Sequence, residues 1–397
     1  MKNLFLCFVC LFLTLYSLTF AQAGEYRIYG YISTVENNVL SGYITWGNNQ
    51  LYWTDLFQAQ KPVNPYAHYF SPEDGVTFFN EGSISTVPPQ HLFACRFGNI
   101  KSIILSGFNQ ITLQTQKGYE FFLEKGHFND INIPLIVQIS EQETVKIPWE
   151  KIAKIEFTSS PDSFCPPLSV PITGILQTKQ GIYKGLISWN NKKTITDVFK
   201  AKTKQGEINI PFAQIKKIAK IPDHYQLILK NGKEFDLQTI DNLKKITVNM
   251  PNTGMVTISA TQLEALTIEE IQLPSYSDFS EQTLLSGEIL TRKGEKVKGQ
   301  MVYDLDEGMN FELLDGENDN IEYKIPFKYL KSIEPKNYKY SYITLTNGAA
   351  LSLGDSADVN SENSGVLIIP EKSIPVYIPW KEISRITFEH QHFSPSR

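Results

Sequence analysis

Six stretches of this chain share one spacing of apolar residues, and that spacing limits what the chain can fold into. They are "CRFGNIKSI" (95–103), "IPWEKIAKI" (147–155), "IPFAQIKKI" (210–218), "ISATQLEAL" (258–266), "IPFKYLKSI" (325–333) and "IPWKEISRI" (378–386). The shared form is apolar-x-aromatic-x-x-apolar-x-x-apolar, and only "ISATQLEAL" lacks the ring. Around the last copy, Val376, Ile378 and Trp380 alternate, which puts them on one face of a strand. Trp380, Ile383 and Ile386 then follow three apart, the spacing of a single 3₁₀ turn. Ile386 and Phe388 resume alternation. The phrase therefore predicts strand, one turn, strand, with the ring and the trailing aliphatic residues in a core. Pro148, Pro211, Pro326 and Pro379 cannot donate to a ladder and belong at an edge or a strand start.

Two kinds of sequence precede the phrase, in alternation. The first is glycine-paired: "GYISTVENNVLSGYITW" (30–46), "GILQTKQGIYKGLISW" (174–189) and "GEILTRKGEKVKGQMVY" (287–303). Each predicts two strands and a turn, followed by a third strand at "TDLF" (54–57), "TDVF" (196–199) or "FELL" (311–314). The second kind opens on a hairpin: "ITLQTQKGYEFFL" (111–123), "LILKNGKEFDL" (227–237) and "ITLTNGAALSL" (343–353). Asn231-Gly232 and Asn347-Gly348 predict type I′ turns, which need positive φ at both central residues. "DIN" (130–132), "DNL" (241–243) and "DVN" (358–360) come next.

The reading is all-β: six half-units, each of about 50 residues and so too small to bury a core comfortably alone. They pair into three tandem modules of about 100–135 residues, an ordinary domain size. The expected boundaries are 24–158, 171–270 and 286–390. Polar, proline-bearing linkers fill 159–170 and 271–285, and a tail fills 391–397. A continuous β-solenoid is the alternative.

A 3₁₀ turn before the last strand resembles the end of an SH3-like small barrel, so each module is expected to be a pair of small SH3-like half-units. The organisation also resembles uncharacterised secreted bacterial proteins built from tandem SH3-like or Sm-like β-barrel repeats. The run "GEILTRKGEKVKGQMVYDLDE", "LLDG", "IPFKYLKSIEP", "DVN" and "IPWKEISRITF" in the third module carries most of the likeness. The first module departs by an insertion and the second by its ringless last phrase. The resemblance implies a fold and brings no activity, cofactor or site residue with it.

The start of the chain predicts export. Lys2, the apolar run Leu4–Phe20 and the small residues Ala21 and Ala23 form a cleavable signal peptide over 1–23, with a mature chain starting at Gly24. No later stretch reaches the roughly 20 apolar residues that a spanning helix needs. The expected location is periplasmic or extracellular, with no membrane span in the mature chain. Cys95 and Cys165 remain after cleavage. Cys95 stands where other copies of the phrase carry Ile, which predicts burial, and a Cys95–Cys165 bridge stays open.

Charge alternates between modules. Residues 171–270 carry 14 Lys and no Arg against 9 acids, and the flanking modules are acidic. The basic module would bind an anionic polymer or hold its acidic neighbours. Without Arg it makes no case for nucleic acid.

The chain holds no G-x-S-x-G, H-E-x-x-H, P-loop or G-x-G-x-x-G pattern, so no catalytic residue is assigned and no cofactor implied. "EHQH" (389–392) reads as polar tail rather than a metal site. Asp304, Asp306, Glu307, Glu312, Asp315, Glu317 and Asp319 read as two exposed turns, a solvated face and no calcium loop. The candidate binding residues are Tyr66, Tyr69, Phe70, Phe78 and Phe79, in an insertion at about 58–93. Long aromatic loops are functional when they are not simply lids over a core. The expected function is a non-enzymatic, envelope-associated scaffold or binding protein for a protein or cell-surface glycan. The alternative is a secreted hydrolase of polysaccharide or peptide whose site lies between modules and recruits carboxylates such as Asp55 and Asp197.

Overall fold

The computed structural model of this protein describes residues 24–47, 49–62, 78–80, 83–85, 91–128, 130–372 and 374–390, with 78–80, 83–85 and 91 as backbone only. The expected leader 1–23 and tail 391–397 lie outside the described residues. What is described is antiparallel β-structure punctuated by short 3₁₀ turns.

All six phrases form the predicted turn. Phe97–Asn99, Trp149–Lys151, Phe212–Gln214, Ala260–Gln262, Phe327–Tyr329 and Trp380–Glu382 are 3₁₀ turns, each flanked by strands. The N–H of the fourth residue closes each turn onto the carbonyl of the first, as Ile383 does onto Trp380. Four prolines stand immediately before a turn, with φ between −62° and −55°. They sit at strand ends rather than strand starts, because the ring sets the φ from which the chain leaves the ladder and no N–H is lost there. The leading rings Phe97, Trp149, Phe212, Phe327 and Trp380 are buried, and so are the two aliphatic residues that follow each turn. Burial of each such side chain contributes roughly 1.5–3 kcal/mol. The ringless copy holds its turn by a capping box in which Gln262 Oε1 accepts the Ser259 N–H at 2.9 Å.

The pairing in 29–157 recurs twice along the chain. Tyr29–Thr34 lies between Val39–Trp46 and Ile152–Phe157, and Ile152–Phe157 also pairs Ile100–Leu105. Thr173–Gln177 has the same two neighbours in Ile182–Trp189 and Ala265–Ile268, the latter pairing Ile215–Ile221. Ser286–Thr291 has them in Lys296–Tyr303 and Ile383–Phe388, the latter pairing Leu330–Pro335. Three rows of side chains result: Ile32–Ile155–Ile103, Leu176–Leu266–Ile218 and Ile289–Ile386–Ile333. Each joins the end of one half-unit to the end of the other. In 29–157 the ten-strand path is open, ending at Thr144–Ile147 on one side and His91–Arg96 on the other.

The paired glycines have a steric cause. Gly30 faces Gly42, Gly174 faces Gly185 and Gly287 faces Gly299. A Cβ on Gly287 would lie 2.0 Å from the Thr387 carbonyl oxygen, and one on Gly42 would lie 2.1 Å from that of Gln138. The next strand passes too close for any side chain.

Two local expectations are corrected. The "NG" hairpins are three-residue loops, with Leu229 N–H bonded to Lys233 O at 2.9 Å and Gly232 N–H to Leu229 O at 3.0 Å. Gly232 and Gly348 take positive φ, whereas Asn231 and Asn347 do not. This is a type I turn followed by one left-handed residue, so Gly alone supplies the unusual backbone. The third strand of each repeat also starts later than "TDLF", "TDVF" and "FELL", at Leu56, Val198 and Leu313. The acid preceding it belongs to a turn described below.

The three repeats pack on one another. Gly254–Ser259 of the second pairs Ile321–Pro326 of the third, and one apolar cluster runs from Ile172 to Phe388. The core of the first repeat takes in Phe279, Met309 and Phe311. The second linker is packed rather than loose. Its turn Tyr276–Phe279 seats the Phe279 ring on Gly98, and Tyr276 Oη donates to Ile100 O at 2.9 Å. Cys95 is buried against this core and Cys165 is half-exposed, both as free thiols. No helix among the described residues is long and apolar enough to cross a membrane.

Candidate functional site

The carboxylates sort into those that every repeat needs and those that one repeat adds. Asp55 Oδ2 accepts the N–H groups of Leu51 and Tyr52 at 2.7 and 3.0 Å. Asp197 Oδ2 accepts those of Lys193 and Thr194, both at 2.9 Å, and Glu312 Oε2 those of Gly308 and Met309 at 2.8 and 2.9 Å. One acid per repeat thus folds the turn into the third strand by capping two backbone donors. Asp130 Oδ2 accepts from Gln58 N–H at 2.8 Å, and Asp358 Oδ2 accepts from Asp315 N–H at 2.7 Å, at matching places in the first and third repeats.

Cavities lie where the repeats meet. The one between the first two repeats is a cleft of about 410 Å³. Gln50, Gln58, Asp55, Asp130 and Phe128 reach it from the first repeat, and Ser188, Lys193, Thr247 and Asn249 from the second. Its polar groups are held in place. Asn249 Nδ2 donates to Thr54 O at 2.6 Å and its Oδ1 accepts from Arg96 Nη2 at 3.2 Å. Lys193 Nζ stands 2.7 Å from Asp55 Oδ1. Asp130 Oδ1 accepts from Gln50 Nε2 at 2.8 Å. Burial pushes the Asp130 carboxyl up to about 6 against the pull of the Gln58 and Gln50 hydrogen bonds.

A second pocket, of about 230 Å³, lies between the first and third repeats and is acidic. The expectation of a solvated acidic face fails here. Asp304, Asp306 and Glu312 are buried, and Lys61 of the first repeat reaches in to pair with Asp306 Oδ1 at 2.9 Å and Glu312 Oε1 at 2.7 Å. Burial pulls against the charge on Lys61, but the two carboxylates outweigh it and raise its pKa above the ordinary lysine value. A third cavity, of about 990 Å³, follows the second linker. There Asn310 bonds the linker backbone at Thr283 and Glu281, so its polar groups are spent on holding the chain.

Of the aromatic candidates, Tyr66, Tyr69 and Phe70 lie outside the described residues. Phe78 and Phe79 are described as backbone, in a strand Phe78–Asn80 paired with Ser83–Ser85. The insertion extends the tip of a hairpin, since Lys61 pairs His91, whereas Thr203 pairs Gly206 in the second repeat. Glu389 pairs with Lys298 at 2.8 Å and His390 meets Leu330 O, while His392 lies outside the described residues. Among the described residues no group of three or more His, Cys, Asp or Glu is arranged to hold a metal ion.

The sequence did hold a signal for the cleft. "WGNNQ" (46–50) and "YDLDE" (303–307) occupy one place in two repeats, and a residue-by-residue comparison of repeats separates shared caps from added groups. Comparison with protein-family models, curated proteins and solved structures finds no match.

Proposed function

We propose that this chain is an exported, non-catalytic binding protein. In this reading three modules, each a pair of SH3-like half-units, form one scaffold. The cleft between the first two holds a hydroxyl-rich ligand, a cell-surface glycan. One observation carries it: the Asn249 and Gln50 amides are held in place in the cleft that the half-buried Phe128 ring lines, while its carboxylates are committed to backbone caps and to Lys193. Neutral donors and acceptors with an apolar face match a sugar ring. Titration calorimetry with envelope oligosaccharides tests this. Gln58→Ala and Phe128→Ala should weaken binding at least about tenfold, a loss of about 1.4 kcal/mol, with folding intact. Undiminished binding by a cleft-filling Thr247→Trp would refute it.

The hydrolase reading draws on Asp130, whose raised pKa suits a general acid. Both its oxygens already accept hydrogen bonds, and the equivalent Asp358 repeats the bond to the third strand. Its neighbour Asp55 is likewise filled by two N–H groups and Lys193. These favour binding without turnover. Cleavage of the bound oligosaccharide by the purified protein, lost in Asp130→Asn, would reverse that preference.

A further inference from the structure

The first and third repeats differ at one pair of residues, with a chemical consequence. In the first, Gln50 bridges to Trp46 and its amide donates to Asp130, whose backbone carbonyl accepts from Trp46 Nε1 at 2.8 Å. In the third, Glu307 bridges to Tyr303, and the carbonyl of Asp358 accepts from Tyr303 Oη. Glu307 therefore takes the place of Gln50, and Asp358 that of Asp130. An amide donates to a carboxylate. A carboxylate does so only when it carries a proton.

We propose that Asp304, Glu307 and Asp358 form a proton-held latch that keeps the loop 355–365 seated on the third repeat, and that loss of its protons releases the loop and opens the pocket beside the first repeat.

The geometry supports this from each side of the pocket. Glu307 Oε2 is sealed from solvent and has no hydrogen-bond partner among the described residues. Asp304 Oδ1 accepts the backbone N–H of Ser364 and so grips the loop, and Asp358, itself in the loop, is seated on the third repeat where its Oδ2 accepts the Asp315 N–H at 2.7 Å. The cations facing the pocket are already engaged, Lys61 with Asp306 and Glu312, and Lys324 with Asp315. Glu362 lines the pocket and adds a further acid. The hydroxyls of Tyr303 and Tyr377 donate to Asp358 O and Ser364 O. Three carboxyl groups thus face one another with no cation of their own among the described residues. Burial first, and neighbouring acids second, raise Glu307 and Asp358 well above the ordinary carboxylate range; burial likewise raises Asp304, with Asp306 adding. A carboxyl group raised on folding stabilises the fold below its unfolded pKa, and that contribution is lost as pH rises through the folded value. The latch is therefore shut in acid and loosens toward alkaline pH.

Hydrogen exchange on the intact chain, corrected for intrinsic rates, tests the proposal between about pH 5 and about pH 9. In the wild type, residues 355–365 should lose about tenfold or more in protection, the equivalent of about one pKa unit or more. In Glu307→Gln, which carries the amide of Gln50 and donates at every pH, the loss should shrink at least about threefold. Asp304→Asn should shrink it as well, and serves if the first variant fails to fold. A pH-independent loop in the wild type, or equal losses in wild type and both variants, would overturn the proposal. So would full restoration of protection at alkaline pH by millimolar calcium chloride, which would make the missing partner a cation rather than a proton.

Discussion

Lys193 Nζ lies 2.7 Å from Asp55 Oδ1, joining two repeats through residues 138 apart in the chain. Asp55 is buried at 5% side-chain exposure, and Lys193 is partly buried at 14%. Asp55 also caps its own turn, so a single carboxylate serves the local fold and the junction. Lys193→Met should cost about 1–3 kcal/mol, because a buried charged acceptor loses its partner. Lys151→Met, at the exposed Lys151–Glu36 pair, should leave stability nearly unchanged. Chemical denaturation compares the two, and equal losses would contradict this account of the junction.

Trp380 tests the closing phrase. Its ring is 6% exposed and stands edge-on to Tyr303 at 6.0 Å. Trp380→Ala should cost about 3–5 kcal/mol, as for truncation of a large core aromatic. A loss below about 1 kcal/mol, the size of a surface change, would remove the ring from the core.

Gly287 tests the close strand approach. Gly287→Ala puts a methyl against the Thr387 carbonyl and should cost about 1–3 kcal/mol or more. Gly107→Ala meets nothing nearer than 3.7 Å and should be close to neutral. Thermal melts that rank the pair in the opposite order would refute the steric argument.

Asp130 gives a pH prediction. Its folded value of about 6 exceeds an unfolded aspartate's, so its contribution is present in full below about pH 4 and is lost as pH rises through about 6. Wild type should lose on the order of 2–3 kcal/mol through this group across that window. Asp130→Asn should remove that part of the slope, since Gln50 can turn its otherwise unpartnered Oε1 toward the new amide. Superimposable stability–pH curves for the two proteins would contradict the assignment.

What the sequence makes legible is local. Rings and aliphatic residues three apart predict the turn because a core face imposes its own period, and all six copies obey it. Even Ala260, which lacks the ring, keeps the turn through Ser259 and Gln262. The acids are not legible in that way. Asp55, Asp197 and Glu312 look like parts of strands until the capped turn is seen. Asp306 looks solvated because its counter-ion Lys61 lies 245 residues away. The linker 271–285 reads as a break, yet Leu273, Phe279 and Leu285 are buried. Their apolar surface is satisfied by other repeats, which no local window contains.

The central claim is that three copies of one closing device are fused into a single body with a cleft between the first two. Hydrogen exchange along a urea titration of the intact chain tests it at Ile152–Phe157, Ala265–Ile268 and Ile383–Phe388, the last strand of each repeat. The account predicts that all three lose protection at one urea concentration. Exposure of Ile152–Phe157 while the other two stay protected would mean separately folding units, and would contradict it.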